Sequence, residues 1–331
     1  MKTFEIGKNE AGQRLDKYLS KLLREAPKSF IYKMLRKKNI TLNGAKASGS
    51  EKLKEGDEIR LFLSDETFGK FQGSPREDTN SRQKEQGGSN AAADGKAFSS
   101  GIIYEDDDLL FWNKPQGILS QPDNSGLASV VTMLEEYLLL EGKLGALDLA
   151  TFHPAPMNRL DRNTSGIVLC GKSLKGLQFL SEAIREREMD KTYICVTDGR
   201  PPEGVHTAWL KKDAKKNTVH VTASQAPGSR MIQTGFRIRK SVGRYAVTEA
   251  KLITGRPHQI RAHLAFLGSC ILGDPKYGNP DVNREAREKY GIQYQMLHAE
   301  SVSFPAISGD FGYLSGRTFT AAAPDSFAYF I

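Results

Sequence analysis

Residues 158–173 read NRLDRNTSGIVLCGKS, a charged, turn-rich loop that feeds an apolar run. Asn163, Thr164, Ser165 and Gly166 are turn formers, and Ile167 to Cys170 suits a short buried strand. A packed strand behind a glycine-bearing turn gives rigid support to what precedes it. Arg159 and Asp161 are therefore expected on a fixed loop, where chemistry can sit. The pattern alone favours a plainer role for Asp161, that of a turn carboxylate capping nearby backbone amides.

Working outward from this loop, Ser173 is placed to cap a helix from Leu174 to about Arg187, with Leu174, Leu177, Leu180 and Ile184 on one face. Lys191-Thr192-Tyr193 then enters a strand over Ile194 to Thr197, where an aromatic residue is ordinarily core. Gly204–Lys211, Thr218–Ala223, Met231–Ile238 and Arg244–Ile253 read as successive antiparallel strands joined by polar turns such as Asp213 to Asn217. TGRPHQIRAHLAFLG, Thr254 to Gly268, is expected to start a helix at Pro257, bury Ile260, Leu264 and Leu267, and stop at Gly268. Upstream, Gly101–Gly117 gives a strand, an acidic turn at Asp106 to Asp108, a second strand and a turn around Lys114-Pro115. Leu127 to Leu140 carries helical periodicity that packs on a sheet.

The N-terminal segment differs in charge. Between residues 8 and 38 ten Lys and Arg stand against three Asp and Glu, an excess of seven in a chain whose net charge is +8. Two short basic helices are expected there: residues 14–24 with Leu15, Leu19 and Leu22 inward, and a second capped by Ser29 with Ile31, Met34 and Leu35 inward. A strand at Ile40–Leu42, an Asn43-Gly44 turn and a returning strand at Ile59–Leu63 complete a small unit over residues 12–63. From 64 to 100 the composition turns to Gly, Ser, Asn, Gln, Lys and Glu. Such a stretch can bury little, so it reads as a flexible linker between independently moving domains. Residues 101–331 form the second domain.

Composition excludes several classes. At 331 residues and 39% hydrophobic the chain can build a sizeable core, and no apolar run is long enough to span a bilayer. The opening MKTFEIGKNE has no apolar signal core, which points to a cytoplasmic protein without membrane association. Cys170, Cys195 and Cys270 lie among apolar residues and read as core rather than a disulfide framework. His258 and His263 are five apart, on different faces of one helix, so no metal site is expected. The concentrated positive charge fits a polyanionic partner.

The central loop resembles the catalytic loop of the RluA-type pseudouridine synthase family, usually His-Arg-Leu-Asp, two variable residues, then Thr-Ser-Gly. Arg159, Leu160, Asp161, Thr164, Ser165 and Gly166 match, and Asn158 stands where the family normally has His. The acidic turn followed by Asn113-Lys114-Pro115, the Lys-x-Tyr at Tyr193, and Thr254-Gly-Arg-x-His-Gln-Ile-Arg261 also resemble family motifs. So do Gly273-Asp274-Pro275-Lys276-Tyr277-Gly278 and Leu297-His298-Ala299, while residues 281–295 read as an insert. The N-terminal unit is similar to the αL RNA-binding motif first known in a small-subunit ribosomal protein.

The resemblance implies an α+β fold, a mixed and mainly antiparallel sheet with flanking helices and an active-site cleft across it, beside a small α/β RNA-binding domain. It implies conversion of uridine to pseudouridine, which needs no cofactor because there is no net redox change. Asp161 would act on the sugar or base, Arg261 would hold it ionised, and Tyr193 would stack on the base and assist the proton at C5. Arg159 would fill the space left by the unstacked uridine. Lys114 would support the loop or contact phosphate, and Arg14, Lys17, Lys33, Arg36, Lys37 and Lys38 would contact RNA. The expected partner of this monomer is large-subunit ribosomal RNA, with transfer RNA as the alternative. A non-catalytic RNA-binding assembly factor is the rival class. A glycoside hydrolase would typically need two carboxylates where one stands out.

Overall fold

The computed structural model describes residues 1–72, 98–145, 148–213 and 217–331. Its N-terminal part runs β1 (Lys2–Glu5), α1 (Leu15–Leu22), α2 (Lys28–Arg36), β2 (Ile40–Leu42), β3 (Ala45–Lys46), β4 (Glu58–Leu61) and α3 (Asp65–Gln72). The strands form an antiparallel sheet in the order β1-β4-β2-β3. Leu15, Leu19 and Leu22 from α1 and Ile31, Met34 and Leu35 from α2 are buried beneath it, as the helical spacing requires. Asn43 and Gly44 both take positive φ, 51° and 74°, which matches a tight hairpin turn to the strand twist. Ser29 does not cap α2. The helix starts at Lys28, two residues before the start that a Ser29 cap implies, behind Pro27, whose fixed φ suits a helix entry.

The stretch expected to be a linker is ordered at both ends. Phe68 of α3 is buried in the N-terminal core and Phe71 packs on Phe30 at 4.4 Å. Phe98 is fully buried, stacked at 4.5 Å on Trp112, whose indole N–H donates to its carbonyl. Isolated aromatics in a polar stretch found tertiary partners that composition does not reveal. The Gly- and Ser-rich run within 73–97 lies outside the described residues.

The second part begins with β5 (Ile102–Glu105), β6 (Leu109–Lys114), α4 (Val130–Leu140), β7 (Ala155–Pro156), β8 (Ser165–Gly171) and α5 (Leu174–Glu186). Then follow β9 (Asp190–Asp198), β10 (Gly204–Asp213), β11 (Thr218–Thr222), β12 (Arg230–Val242) and β13 (Tyr245–Leu252). The chain closes with α6 (Gln259–Phe266), α7 (Pro280–Tyr290), β14 (Leu297–Phe304) and β15 (Arg317–Thr320). The sheet order is β11-β10-β12-β13-β9-β14-β8-β6-β5, with β15 beside β14 and β7 beside β8. Between the strands named here β8 and β14 make the one parallel pairing, so the sheet is mixed and mainly antiparallel, as expected. Positions 214–216 of the anticipated 213–217 turn lie outside the described residues.

Helix boundaries follow local chemistry. Ser173 caps α5 by accepting from the Gly176 N–H, and Ser129 forms a reciprocal capping box with Thr132 at the start of α4. Cys170 and Cys195 are core, whereas Cys270 is only partly buried. No helix among the described residues is long and apolar enough to cross a membrane.

The two cores meet through polar contacts. Thr151 Oγ1 donates to Glu10 Oε1 at 2.8 Å in a buried pair, and Arg24 Nη2 donates to the Ala150 carbonyl at 3.2 Å. The Leu174 N–H, at the start of α5, reaches Asn9 Oδ1 at 3.3 Å. Independent movement of the two parts, expected from the polar composition between them, would have to break these contacts.

Candidate active site

A cleft of about 1070 Å³ is bounded by the loop before β8, the start of β9, the Lys251–Arg261 segment and Pro275-Lys276. Asp161 lies on its wall, and the loop carrying it is clamped from several sides. The Thr164 N–H bonds the Asp161 carbonyl at 2.9 Å, closing a turn. Buried Leu160 exchanges two hydrogen bonds with Ser120 Oγ, at 2.8 and 3.0 Å. Asn158, in the family's His position, donates from Nδ2 to the Ile167 carbonyl at 3.1 Å and accepts at Oδ1 from the Leu169 N–H at 2.7 Å. Its amide thereby splices the loop to the β8 backbone. Gly166 completes the support: with φ of 115°, a side chain there would be strained and would collide with the Ala299 carbonyl of β14.

Lys114 supports the loop and is not available to a phosphate. Its side chain is fully buried, and Nζ donates to the carbonyls of Pro115 at 3.0 Å, Ile118 at 2.9 Å and Arg162 at 3.0 Å. Burial pulls its pKa down to about 7, opposed by the nearby Asp161 charge.

Asp161 Oδ2 accepts from Arg261 Nη1 at 2.6 Å. The same guanidinium donates from Nε and Nη2 to the two oxygens of Asp274, at 2.7 and 2.8 Å. Arg261 is 4% exposed and Asp274 is 0% exposed, while the Asp161 side chain keeps 28% of its surface. A planar fork thus sits between a buried carboxylate that anchors it and a cleft-facing one that it holds. Burial opposes the Arg261 charge, but the bonds to Asp274 and Asp161 outweigh it and keep its pKa above the ordinary value.

Tyr193 is on β9, 8% exposed, and its ring edges the same cleft. Its sheet neighbours are Ala250 and Ala299, whose small side chains leave room for an aromatic. Burial, and secondarily the Asp161 charge, raises its pKa, so the phenol keeps its proton at neutral pH. Arg159 is exposed and lines the cleft near Asp161.

The N-terminal cations are not brought into the cleft. Lys17, Lys33, Arg36, Lys37 and Lys38 are exposed and make no ion pair among the described residues. Arg14 differs, because its guanidinium pairs with both oxygens of Asp16 at 3.0 Å, so its charge is already matched.

Three residues went without an assigned role in the sequence: Asp274, His258 and Tyr277. Helix α6 does not start at Pro257. It starts at Gln259, because His258 turns the chain into the left-handed region at φ 53°, ψ 16°. Gln259 secures that turn, accepting from Thr254 Oγ1 and the Arg256 N–H while donating to Gln233 and Thr234 of β12. The result sets His258 Nε2 3.8 Å from Asp161 Oδ1, with Nδ1 2.8 Å from the Tyr277 hydroxyl. The motif context was the available signal, but nothing in it indicated contact with residue 161.

Comparison with known proteins adds identity to geometry. A family model described as RNA pseudouridylate synthase matches residues 108–266, and an S4 domain model matches residues 13–59. A protein of Salmonella typhi named ribosomal large subunit pseudouridine synthase C is 30% identical over 307 residues, covering 92% of this chain and 88% of its own length. The protein of that name from Escherichia coli K12 is 30% identical over 308 residues with the same coverage. Among solved structures, human RNA pseudouridylate synthase domain containing 4 aligns with a TM-score of 0.58 at 21% identity, covering 72% of this chain and 94% of that one, a likeness of fold.

Proposed function

The chain belongs to the RNA pseudouridylate synthase family, and from that premise we propose that it isomerises uridines to pseudouridine in large-subunit ribosomal RNA in the cytoplasm, as a monomer. The relatives named for that substrate support the choice of RNA, since they align along most of both chains. The observation that carries the reading is the Asp161–Arg261–Asp274 chain opening beside Tyr193 in one cleft.

The reaction breaks the N1–C1′ bond, turns the uracil, joins C5 to C1′, and moves the C5 proton off as N1 regains one. Asp161 is the carboxylate that acts on the nucleoside, and Arg261 fixes it with a charge-assisted bond. Tyr193 offers a ring face to the detached base. Because its phenol stays protonated, it can act on the C5 proton only by relay, accepting one proton as it gives up another. The target uridine must leave its stack, at a cost of a few kcal/mol, and Arg159 on the cleft wall is placed to enter the vacated space. The exposed cations of the small N-terminal domain, Lys17, Lys33, Arg36, Lys37 and Lys38, bind RNA phosphates remote from the chemistry and offset part of that cost.

The test is chemical mapping of pseudouridine across total RNA from cells with and without the gene. Loss of one or a few sites in large-subunit ribosomal RNA is the expected result. Loss confined to transfer RNA would overturn the substrate assignment, and no loss at all would overturn the activity.

A further inference from the structure

Arg261 holds one oxygen of Asp161, and the other, Oδ1, faces the imidazole of His258 across 3.8 Å. That separation is just beyond a hydrogen bond, and contacts around a reacting group commonly tighten when substrate fills the site. We propose that His258 is a positioning residue for the isomerisation: its Nε2–H closes onto Asp161 Oδ1 in the RNA complex and fixes the carboxylate's rotation. Each carboxylate oxygen has two acceptor directions, so one donor leaves a lone pair of Oδ1 directed at the nucleoside. The inference rests on the reading of Asp161 as the reacting carboxylate.

The hydrogen bonds behind His258 favour one assignment of its ring proton. The Val219 N–H donates to the Tyr277 hydroxyl at 2.9 Å, leaving that hydroxyl's own hydrogen for His258 Nδ1 at 2.8 Å. Burial raises the Tyr277 pKa, so the hydroxyl retains its proton. Burial also lowers the His258 pKa, against the pull of Asp161 and with Arg261 and Lys276 assisting, so the ring is neutral. A neutral ring accepting at Nδ1 carries its hydrogen on Nε2, the nitrogen facing Asp161.

Tyr277 also braces the other partner of Asp161. The Arg261 guanidinium lies 5.2 Å from its ring centroid, and its backbone N–H donates to Asp274 Oδ1 at 3.1 Å. One network therefore governs the approach to both oxygens of Asp161. The left-handed backbone of His258 is consistent with this, since strained conformations persist where surroundings hold them and cluster at working sites.

Two substitutions separate positioning from a structural role. His258→Gln puts an amide N–H near the Nε2 position but loses the Tyr277 bond. His258→Asn tolerates the left-handed backbone and keeps a partner for Tyr277 but cannot reach Asp161. Using the full chain and an unmodified large-subunit ribosomal RNA transcript, His258→Asn should slow single-turnover pseudouridine formation by about tenfold, ~1.4 kcal/mol. Its RNA affinity and melting temperature should be unchanged, and His258→Gln should recover most of the lost rate. A structural role predicts the reverse ranking. His258→Asn at the wild-type rate, or equal losses in both variants, would overturn the inference. Asp161→Asn, run alongside, keeps the two readings apart: if it turns over, the assignment of Asp161 itself falls.

Discussion

Asp274→Ala is expected to weaken the protein more than the loss of one side chain in a turn would suggest. The Asp274 carboxylate accepts four hydrogen bonds: Arg261 Nε at Oδ2, and Arg261 Nη2 with the Lys276 and Tyr277 N–H groups at Oδ1. Alanine removes all four and strands a guanidinium that is only 4% exposed. Breaking a buried pair by deleting one partner costs about 3–5 kcal/mol. The remaining Asp161 bond keeps the cost toward the lower end. At roughly 2–4 °C per kcal/mol for a domain of this size, a cost of about 3 kcal/mol should lower the melting temperature by about 6–12 °C.

Asp274→Asn is the sharper probe. With its amide oxygen at the Oδ1 position it keeps three of the four bonds and sets an NH₂ against Arg261 Nε–H, donor to donor. Loss of a charge-assisted bond costs about 1.5–3 kcal/mol. If that misalignment reaches Asp161 through Arg261, single-turnover rate should drop by about one to two orders of magnitude. Thermal melts and rapid-quench assays on both variants measure the two quantities. A Tm within a degree or two of wild type for the alanine variant, together with full activity for the asparagine variant, would refute the anchoring role.

Lys114 supplies a pH signature. Its folded pKa near 7 lies below its ordinary value of 10.5, so the unfolded chain binds the extra proton between those limits. Stability relative to Lys114→Met should therefore rise as pH goes from about 7 to about 10, and a constant difference in melting temperature would contradict this. Tyr193→Phe should slow isomerisation far more than it weakens RNA binding, and an unchanged single-turnover rate would leave stacking as the residue's whole contribution. Replacing Lys33, Arg36, Lys37 and Lys38 together by alanine should flatten the log-affinity against log-salt slope by about one unit for each phosphate that a removed cation had neutralised, and an unchanged slope would remove them from the RNA interface.

What the sequence disclosed follows the range of the forces involved. The β8 run, the α5 cap at Ser173 and the Asn43-Gly44 turn depend on neighbours within a few residues, and all were legible. Asp161, Tyr193 and Arg261 were singled out by resemblance, because their meeting spans up to a hundred residues of chain. Asp274 and His258 sat in plain view within quoted motifs, yet their roles are set by side-chain contacts that no periodicity encodes. Pro257 looked like a helix start on local rules. The Gln259 bonds to β12 imposed a left-handed turn at His258 and moved the start two residues on. Phe68 and Phe98 were hidden in a polar average, since each is ordered by a partner distant in sequence.

Asp161→Asn isolates the charge on which the whole reading turns. The substitution preserves shape, and Asn is itself a competent turn former, so the protein should fold and bind ribosomal RNA nearly as wild type does. A neutral amide cannot replace the carboxylate at the nucleoside, so a purified preparation given excess time on an unmodified large-subunit transcript should form no detectable pseudouridine. Robust pseudouridine formation by that variant would return Asp161 to a capping role and require another residue to act on the sugar or base.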